Sequence, residues 1–272
     1  MAMDQLGVVG QNISGCLAKM KALVLTSDGL RHAYFSEVVG RAFETPFAVI
    51  QKKKDYYTNQ ESLSTSVASH LERLREAEKK WFNQNGPGQA PEKLEVQDIN
   101  SPEIISWAEQ QKFEVVCLFG TAILKDGWLS AFPGRIVNLH LGLSPFYRGS
   151  ATLFWPFVNQ ELHLLGTTIH LASAKVDAGD IIERVDADLL PGEDYYAITN
   201  RLIRDSIDCF ADATKAYLLG QKSPSSQERI QGKYYRKADF NEKALFSVLD
   251  YVQSGLSPQE IERIKKHRAC RF

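Results

Sequence analysis

The sequence predicts an α/β protein in which a mostly parallel β-sheet is flanked by helices. Two observations lead to this class. The apolar run at residues 22–26 is followed by a helical pattern at 30–41 and a second apolar run at 47–50, which is the spacing of a βαβ unit. Residues 115–119 are apolar without alternation, as expected of a central parallel strand that is covered on both faces.

The composition limits both the number of domains and the class of partner. A chain of 272 residues with 44% hydrophobic residues can form one large domain, or one domain with a small appendage. With 32 basic and 33 acidic residues the net charge is −1, which argues against a broad nucleic-acid-binding face. No apolar run reaches the ~20 residues of a membrane helix, and residues 1–20 lack the features of a signal peptide. We therefore expect a cytoplasmic protein without membrane contacts.

The cysteines give no sign of a metal site or a disulfide framework. Cys16, Cys117, Cys209 and Cys270 are far apart and show no Cys-x-x-Cys or Cys/His ligand spacing. Cys117 lies within an apolar run and is most simply a buried thiol. We expect a reduced protein that binds no metal.

The turn after the first strand is the first candidate for a ligand contact. It contains no Gly-x-Gly-x-x-Gly, so a dinucleotide cofactor is disfavoured. Its Ser27, and Arg31 and His32 just beyond it, are placed at the carboxyl edge of the sheet, where open α/β folds bind ligands. We hypothesise that these three residues contact the substrate. The alternative is that Arg31 and His32 form an exposed basic pair on a helix.

The following segments continue the alternation of helix and strand. Residues 60–85 have a partly apolar stripe and predict an inserted helix on the sheet edge. A short strand is expected at 94–96, and Ser101 with Pro102 predicts the start of a helix that runs to about residue 110. The buried strand expected at 114–119 should form, with the residues after it, one wall of a cleft. A short helix or turn near Trp128 then leads to a strand at 135–139.

The second half of the chain predicts one long helix and a small C-terminal extension. Asp194 is a suitable N-cap for a helix that Gly220 ends, and residues 223–226 have the composition of a linker or long loop. Residues 245–252 are helical in pattern, and Ser257 begins a capping box for a last basic helix. The predicted units are an N-terminal arm at 1–20, a main domain at 21–220 and an extension at 221–272.

Three polar residues in the middle of the chain indicate chemistry. Asn138 and His140 lie at alternate positions of an apolar run, so they share one side of a strand. Asn can donate an amide N–H to a developing oxyanion, and His exchanges protons near neutral pH. Asp177 could orient the imidazole, and Gly179 permits the tight loop that this requires. The alternative is an Asn in a turn, a satisfied core His and a turn-capping Asp.

The motifs around these residues resemble the folate-dependent formyltransferases. This family includes glycinamide ribonucleotide, methionyl-tRNA and sugar N-formyltransferases. The resemblance covers about residues 21–219, and the four motifs in order are Asn138-x-His140, Leu143-Ser144-Pro145-x-Tyr147-Arg148-Gly149, Gly166-x-Thr168-Ile169-His170 and Asp177-Ala178-Gly179-Asp180-Ile181. The chain departs from the usual family pattern at residues 141–144, which changes side chains near the cleft.

The resemblance implies a Rossmann-like catalytic domain, 10-formyltetrahydrofolate as formyl donor and an amine as acceptor. It implies Asn138, His140 and Asp177 as the catalytic residues, in which Asn138 and a protonated His140 stabilise the oxyanion and Asp177 holds the imidazolium. We place Arg148 among the substrate contacts. The residues implied to bind the pterin are Leu118, Phe119, Gly120, Thr121, Ile123, Leu124, Val176 and Asp180.

The identity of the acceptor amine is the property about which the sequence gives the least information. About fifty residues follow Gly220 and show a mixed loop and helix pattern, unlike the larger C-terminal barrel that the resemblance implies for methionyl-tRNA formyltransferases. The turn at 26–32 lacks the glycine-rich phosphate loop that the resemblance implies for glycinamide ribonucleotide formyltransferases. We therefore expect an amino sugar on a nucleotide-linked sugar, with tRNA or another small amine as alternatives. A formyltetrahydrofolate hydrolase or a catalytically silent binding module stays open, and a homodimer is expected from aromatic residues in the tail.

Overall fold

A computed structural model describes residues 20–45, 47–52, 64–83, 91–251, 253 and 255–271. The predicted N-terminal arm, apart from Met20, lies outside these described residues. Within them, the strands in chain order are β1 Ala22–Thr26, β2 Phe47–Gln51, β3 Glu92–Val96, β4 Val115–Phe119, β5 Ile136–His140, β6 Tyr147–Gly149, β7 Gly166–Leu171, β8 Ile181–Asp186 and β9 Lys233–Tyr235.

The main sheet is mostly parallel, as the sequence predicts. Seven strands pair in the order β3-β2-β1-β4-β5-β7-β8, and the pairs from β3 to β5 are all parallel. The last two pairs, β5 with β7 and β7 with β8, are antiparallel. Parallel strands end at one edge of a sheet, so the carboxyl ends of β1, β4 and β5 lie next to one another.

The uninterrupted apolar character of β1 and β4 follows from cover on both faces. Ala22 and Val24 of β1 belong to one buried core, whereas Leu23 and Leu25 belong to a second core on the opposite face. All four side chains have 0% exposure. Two-sided burial of this kind selects continuous apolar residues in place of an alternating pattern.

Three of the helices begin where the sequence places their caps. Hydroxyl or carboxylate oxygens of Ser101, Asp194 and Ser257 accept backbone N–H groups of the first turns. The helices, in chain order, are α1 Leu30–Ala42, α2 Thr65–Phe82, α3 Pro102–Gln110, α4 Asp126–Ala131, α5 Trp155–Val158, α6 Tyr195–Leu218, α7 Glu242–Tyr251 and α8 Pro258–Arg268. In the described ranges, none of them is both long and apolar enough to cross a membrane.

Three features differ from the sequence-based expectations. The turn expected at 145–149 contains β6, which pairs in parallel with β9 from the C-terminal extension. The expected linker at 223–226 instead forms an isolated bridge between Ser225 and Ile181. The strand β8 had no distinct sequence signal. In the first two cases the structure depends on a partner far away in the chain, which a local pattern does not record.

The C-terminal extension packs on the main core. Leu245 and Val248 of α7 have 0% exposure and belong to the same core as one face of the sheet. Tyr235 stacks on Trp155, with ring centroids 4.1 Å apart and planes 6° apart. Tyr234 stays 49% exposed. A boundary at residue 220 stays a prediction, because the extension shares its core with the main domain.

A buried histidine between two of the helices predicts acid sensitivity. His70 of α2 is 4% exposed, and its Nδ1 lies 2.8 Å from the Tyr196 hydroxyl of α6. Burial, followed by the charge of Arg73, lowers the pKa of His70 from 6.5 to about 4. The unfolded chain therefore protonates His70 more readily than the folded protein does. The stability that neutral His70 provides is present above pH 6.5 and is lost as the pH falls towards 4.

We expect His70→Gln to reduce the loss of unfolding free energy between pH 7 and pH 4 by about 2 kcal/mol. Urea unfolding at the two pH values measures this difference. His267→Gln, the same change at an exposed position on α8, should keep the wild-type pH dependence. An identical pH dependence in wild type and His70→Gln would show that His70 does not titrate as its burial requires.

Candidate active site

Asn138 and His140 lie at the carboxyl end of β5, between β4 on one side and β7 on the other. The pleat puts them on the same face, as their spacing predicts. Asn138 is half-buried and His140 is 6% exposed. Because β5 ends beside β4, these polar side chains stand next to the residues at the end of the buried strand.

Asp177 reaches this point from a tight loop between β7 and β8. Its backbone φ is +50°, in the left-handed region that non-glycine residues seldom adopt. The loop closes on β7 through a hydrogen bond from the Leu171 N–H to the Asp180 carbonyl, 2.9 Å long. Gly179 passes so near to β7 that a Cβ there would lie 1.8 Å from the Leu171 carbonyl oxygen. The loop geometry therefore requires glycine at this position.

The carboxylate of Asp177 connects the strand residues to the turn that follows them. Its Oδ1 lies 3.4 Å from Nδ1 of His140, and its Oδ2 accepts the Gly149 N–H at 3.0 Å. Burial acts to raise the pKa of Asp177, but His140, His170 and the Gly149 N–H outweigh it and lower that pKa to about 2. Asp177 is therefore ionised throughout the physiological range.

Both ring nitrogens of His140 face hydrogen-bond acceptors. Nδ1 faces Asp177, and Nε2 lies 3.0 Å from the Tyr147 carbonyl oxygen. Burial lowers the pKa of His140, whereas Asp177 and the Tyr147 carbonyl act in the opposite direction. The net direction is downward, because burial outweighs the two acceptors. The charged ring that the resemblance implies stays a prediction. Its surroundings nevertheless stabilise a proton that arrives during a reaction.

His170 is a site residue that sequence reasoning did not select. It pairs with Asn138 across β5 and β7, and the Asn138 amide nitrogen lies 3.0 Å from His170 Nε2. Its Nδ1 lies 2.8 Å from the Leu171 carbonyl oxygen, so Nδ1 donates to Leu171 and Nε2 accepts from Asn138. His170 Nε2 is also 3.8 Å from Asp177. The available signal was a polar residue two positions after Thr168 in an apolar strand.

Residues 141–144, where the chain departs from the family pattern, pass closely over His140. A Cβ on Gly142 would lie 2.5 Å from His140 Nε2 and 2.7 Å from the Tyr147 carbonyl oxygen. Thr168 donates its hydroxyl to the Gly142 carbonyl and accepts the Ser144 N–H, each at 2.8 Å. The Thr168 side chain of β7 thus holds residues 141–144 over the His140 ring.

The residues expected to bind a pterin line two loops at this edge. At the end of β4, Leu118, Phe119 and Leu124 are buried, whereas Gly120 and Thr121 are half-buried and Ile123 is 65% exposed. Asn100 holds this segment through its amide, which donates to the Ile123 carbonyl at 3.1 Å. In the second loop Val176 is half-buried and Asp180 is exposed. These placements leave the pterin contacts as a prediction.

The residues expected to contact substrate near β1 are less open than the sequence suggests. Ser27 is 5% exposed and His32 is 7% exposed, and only Arg31 is half-buried. The His32 ring packs on Phe119 with centroids 4.7 Å apart, and its Nδ1 lies 3.0 Å from the Thr26 hydroxyl. The alternative of an exposed basic pair is therefore wrong for His32, which supports the turn at Gly120.

Arg148 lies on β6, between the residue that contacts His140 and the residue that contacts Asp177. Its Nε is buried, and in the described part of the chain this atom has no hydrogen-bond partner. Arg148 is close enough to His140 for its charge to help lower the pKa of that ring. Among the described residues, no group of three or more His, Cys, Asp or Glu is arranged to hold a metal ion.

A comparison with known protein families identifies the chain. Residues 36–214, more than half of its length, match the family model described as formyl transferase. The chain belongs to the formyl transferase family. This membership confirms the resemblance seen in its motifs and the α/β class of its fold.

Curated relatives of this family member include methionyl-tRNA formyltransferases. The one from Trichlorobacter lovleyi is 30% identical over 138 residues, which is 50% of this chain and 43% of that protein. The chain therefore spans less than half the length of this relative.

Two solved structures show the same fold over most of the chain. A sugar N-formyltransferase from a Shewanella species has a TM-score of 0.58 at 14% identity, covering 86% of this chain and 88% of that one. The formyltransferase PseJ from Anoxybacillus kamchatkensis has a TM-score of 0.52 at 17% identity, covering 89% and 97%. PseJ was solved with UDP-4,6-dideoxy-4-formamido-L-AltNAc and tetrahydrofolate.

Proposed function

We propose that this protein transfers the formyl group of 10-formyltetrahydrofolate to a primary amine. The convergence of Asn138, His140 and Asp177 carries the proposal, because Asp177 lies 3.4 Å from His140 and Asn138 lies on the same face of β5 as His140. An amide donor can stabilise an oxyanion, and an imidazole beside an ionised carboxylate can move a proton, which are the two tasks in formyl transfer to nitrogen. Family membership supports the same reaction.

The proposed chemistry begins with attack of the neutral amine on the formyl carbon. A new carbon–nitrogen bond forms, and the bond from the formyl carbon to the folate nitrogen breaks. Asn138 donates its second amide N–H to the oxyanion, while its first stays on His170. The proton that leaves the attacking amine passes to the pair formed by His140 and Asp177, and this proton is returned to the departing folate nitrogen. Asp177 and the Tyr147 carbonyl stabilise the imidazolium in between.

The loops at the carboxyl edge of the sheet are the proposed donor site. The exposed Ile123 and the half-buried Val176 offer apolar contacts for a pterin ring, in the position where open α/β sheets bind ligands. The tetrahydrofolate in the PseJ structure supports a folate in a protein of this fold. Formyl donor and amine acceptor would then meet above Asn138 and His140.

An amino sugar on a nucleotide-linked sugar is the proposed acceptor. The two sugar-type structures cover 86% and 89% of the chain. Arg148 and Tyr234 are paired positions on β6 and β9, so they share one face of this small sheet. A guanidinium whose Nε lacks a partner in the described structure suits a phosphate, and a 49% exposed ring suits a base or sugar face.

Methionyl-tRNA is the second candidate acceptor, because the sequence relatives carry that name. A panel of amines with 10-formyltetrahydrofolate separates the candidates. It contains nucleotide-linked amino sugars, glycinamide ribonucleotide, charged initiator tRNA and an amine-free control. Formylation of an amino-sugar nucleotide is expected. Formylation of the tRNA alone would overturn the sugar assignment, and formate release in the amine-free control would indicate a hydrolase.

The cytoplasmic location and the homodimer stay predictions.

Arg148→Ala tests the proposed phosphate contact. A charge-assisted hydrogen bond to a charged ligand contributes roughly 1.5–3 kcal/mol, so we expect KM for a nucleotide-linked amino sugar to rise by roughly 10–100-fold. KM for the folate donor should change little. Arg75→Ala, at an exposed position of α2, is the matched control. Equal effects of Arg148→Ala on the nucleotide-linked sugar and on the free amino sugar would show that Arg148 does not bind phosphate.

A further inference from the structure

The segment of residues 223–235, here called the strap, lies against the loops that hold the candidate catalytic residues. Its Ser225 exchanges two backbone hydrogen bonds with Ile181, 2.7 and 2.8 Å long. Its Glu228 forms an ion pair of 2.6 Å with Arg184 of β8. The Lys233 N–H donates to the Phe146 carbonyl at 2.8 Å. The strap therefore joins the Asp177 loop to the segment that contains Arg148.

Gln227 is the strap residue that contacts the Asp177 loop directly. Its side-chain nitrogen lies 2.9 Å from the Asp177 carbonyl oxygen and 2.9 Å from the Gly179 carbonyl oxygen. Because both neighbours are carbonyl oxygens, only the amide nitrogen can face them, and its two hydrogens satisfy one carbonyl each. Gln227 is half-buried, so these bonds are partly protected from water.

The Asp177 loop needs such support from outside. A non-glycine residue at a φ of +50° carries a backbone strain of order 1–3 kcal/mol, which persists only where surrounding groups hold it. Within the described structure, the Asp177 carbonyl is also approached by the Ser144 hydroxyl, at the longer distance of 3.4 Å. The Gln227 amide thus makes the shorter of these two side-chain contacts with the strained peptide.

We propose that Gln227 is a positioning residue that fixes the Asp177 carboxylate against His140. It contacts neither reacting atoms nor a proposed ligand, and it acts through the backbone of the Asp177 loop. This proposal deepens the proposed formyl transfer and rests on it for its kinetic consequences. Its electrostatic consequence can be measured in the free protein without any substrate.

Gln227→Met tests the proposal, because methionine keeps the length of the side chain and removes both donors. Displacement of a catalytic group by about 1 Å can cost ~10²-fold, so we expect kcat to fall by ~10–10²-fold while both KM values stay within about 3-fold. In the free protein, movement of the Asp177 carboxylate away from His140 should lower the pKa of His140, as followed by NMR titration. Gln259→Met, at an exposed position of α8, is the matched control.

The outcomes separate a positioning role from a structural one. Wild-type kcat together with an unmoved His140 titration in Gln227→Met would overturn the proposal, even if the variant melts at a lower temperature. If Gln227→Met does not fold, Gln227→Asn withdraws the amide by one methylene and is judged on the same two measurements. If the wild-type protein formylates no amine, the proposed function fails, and the His140 titration still decides whether Gln227 positions Asp177.

Discussion

Replacing Asp177 by asparagine is expected to lower kcat for formyl transfer by ~10²–10⁴-fold, the range that general acid/base catalysis provides. The substitution keeps the shape of the side chain and its contact with the Gly149 N–H, but it removes the negative charge 3.4 Å from His140. Without that charge, the imidazolium that forms as the amine loses its proton is left in a buried site. The barrier therefore rises, while substrate binding is retained.

Steady-state kinetics with the preferred amine measure this effect, and circular dichroism establishes that the variant is folded. Asp212→Asn, the same change at an exposed position of α6, should be indistinguishable from wild type. We expect His140→Ala to lose as much activity as Asp177→Asn, and Asn138→Ala to lose ~10²–10³-fold as an oxyanion donor. Near-wild-type turnover by Asp177→Asn or His140→Ala would remove these residues from the mechanism.

Gly179→Ala has the second large expected effect. The added Cβ would lie 1.8 Å from the Leu171 carbonyl oxygen and 2.9 Å from its carbon. These are backbone atoms of β7, so no side-chain rotation relieves the overlap and the Asp177 loop has to move. We expect kcat to fall by at least ~10²-fold because Asp177 leaves His140, and stability to fall by roughly 1–3 kcal/mol.

Gly220→Ala provides a control that separates backbone strain from steric overlap. Gly220 has a φ of +67°, but a Cβ there would meet nothing within 4 Å. It should lose about 1 kcal/mol of stability from strain alone and keep the wild-type kcat. If Gly179→Ala retains full activity, the loop is not required in the position that the structure gives it.

The parts of the fold that the sequence predicts are those that local chemistry determines. Helix starts at Ser101, Asp194 and Ser257 follow from capping residues, and each is confirmed by a side-chain hydrogen bond. The apolar runs of β1 and β4 predict buried parallel strands, and the structure confirms both their burial and their pairing. The strand predicted to carry Asn138 is likewise confirmed, as β5, which pairs in parallel with β4.

The parts that the sequence does not predict depend on distant contacts. The strand β6 exists because β9, more than eighty residues later, pairs with it. His170 takes part in the site because β7 runs antiparallel to β5 and thereby opposes Asn138. The burial of His32 depends on Phe119 and Thr26. The lowered pKa of His140 depends on its burial, which outweighs the nearby Asp177 charge. None of these contacts can be read from a repeating pattern along the chain, because each joins residues that only the fold brings together.

The destination of the formyl carbon tests the central claim most directly. The protein is incubated with 10-formyltetrahydrofolate that is isotopically labelled in the formyl group and with a nucleotide-linked amino sugar, and the products are separated and identified by mass spectrometry. The account predicts the label in a new amide on the sugar nitrogen, in amounts equal to the tetrahydrofolate formed, and its loss in Asp177→Asn. Label recovered only as free formate, or left entirely on the folate under conditions where the protein is folded, would contradict it.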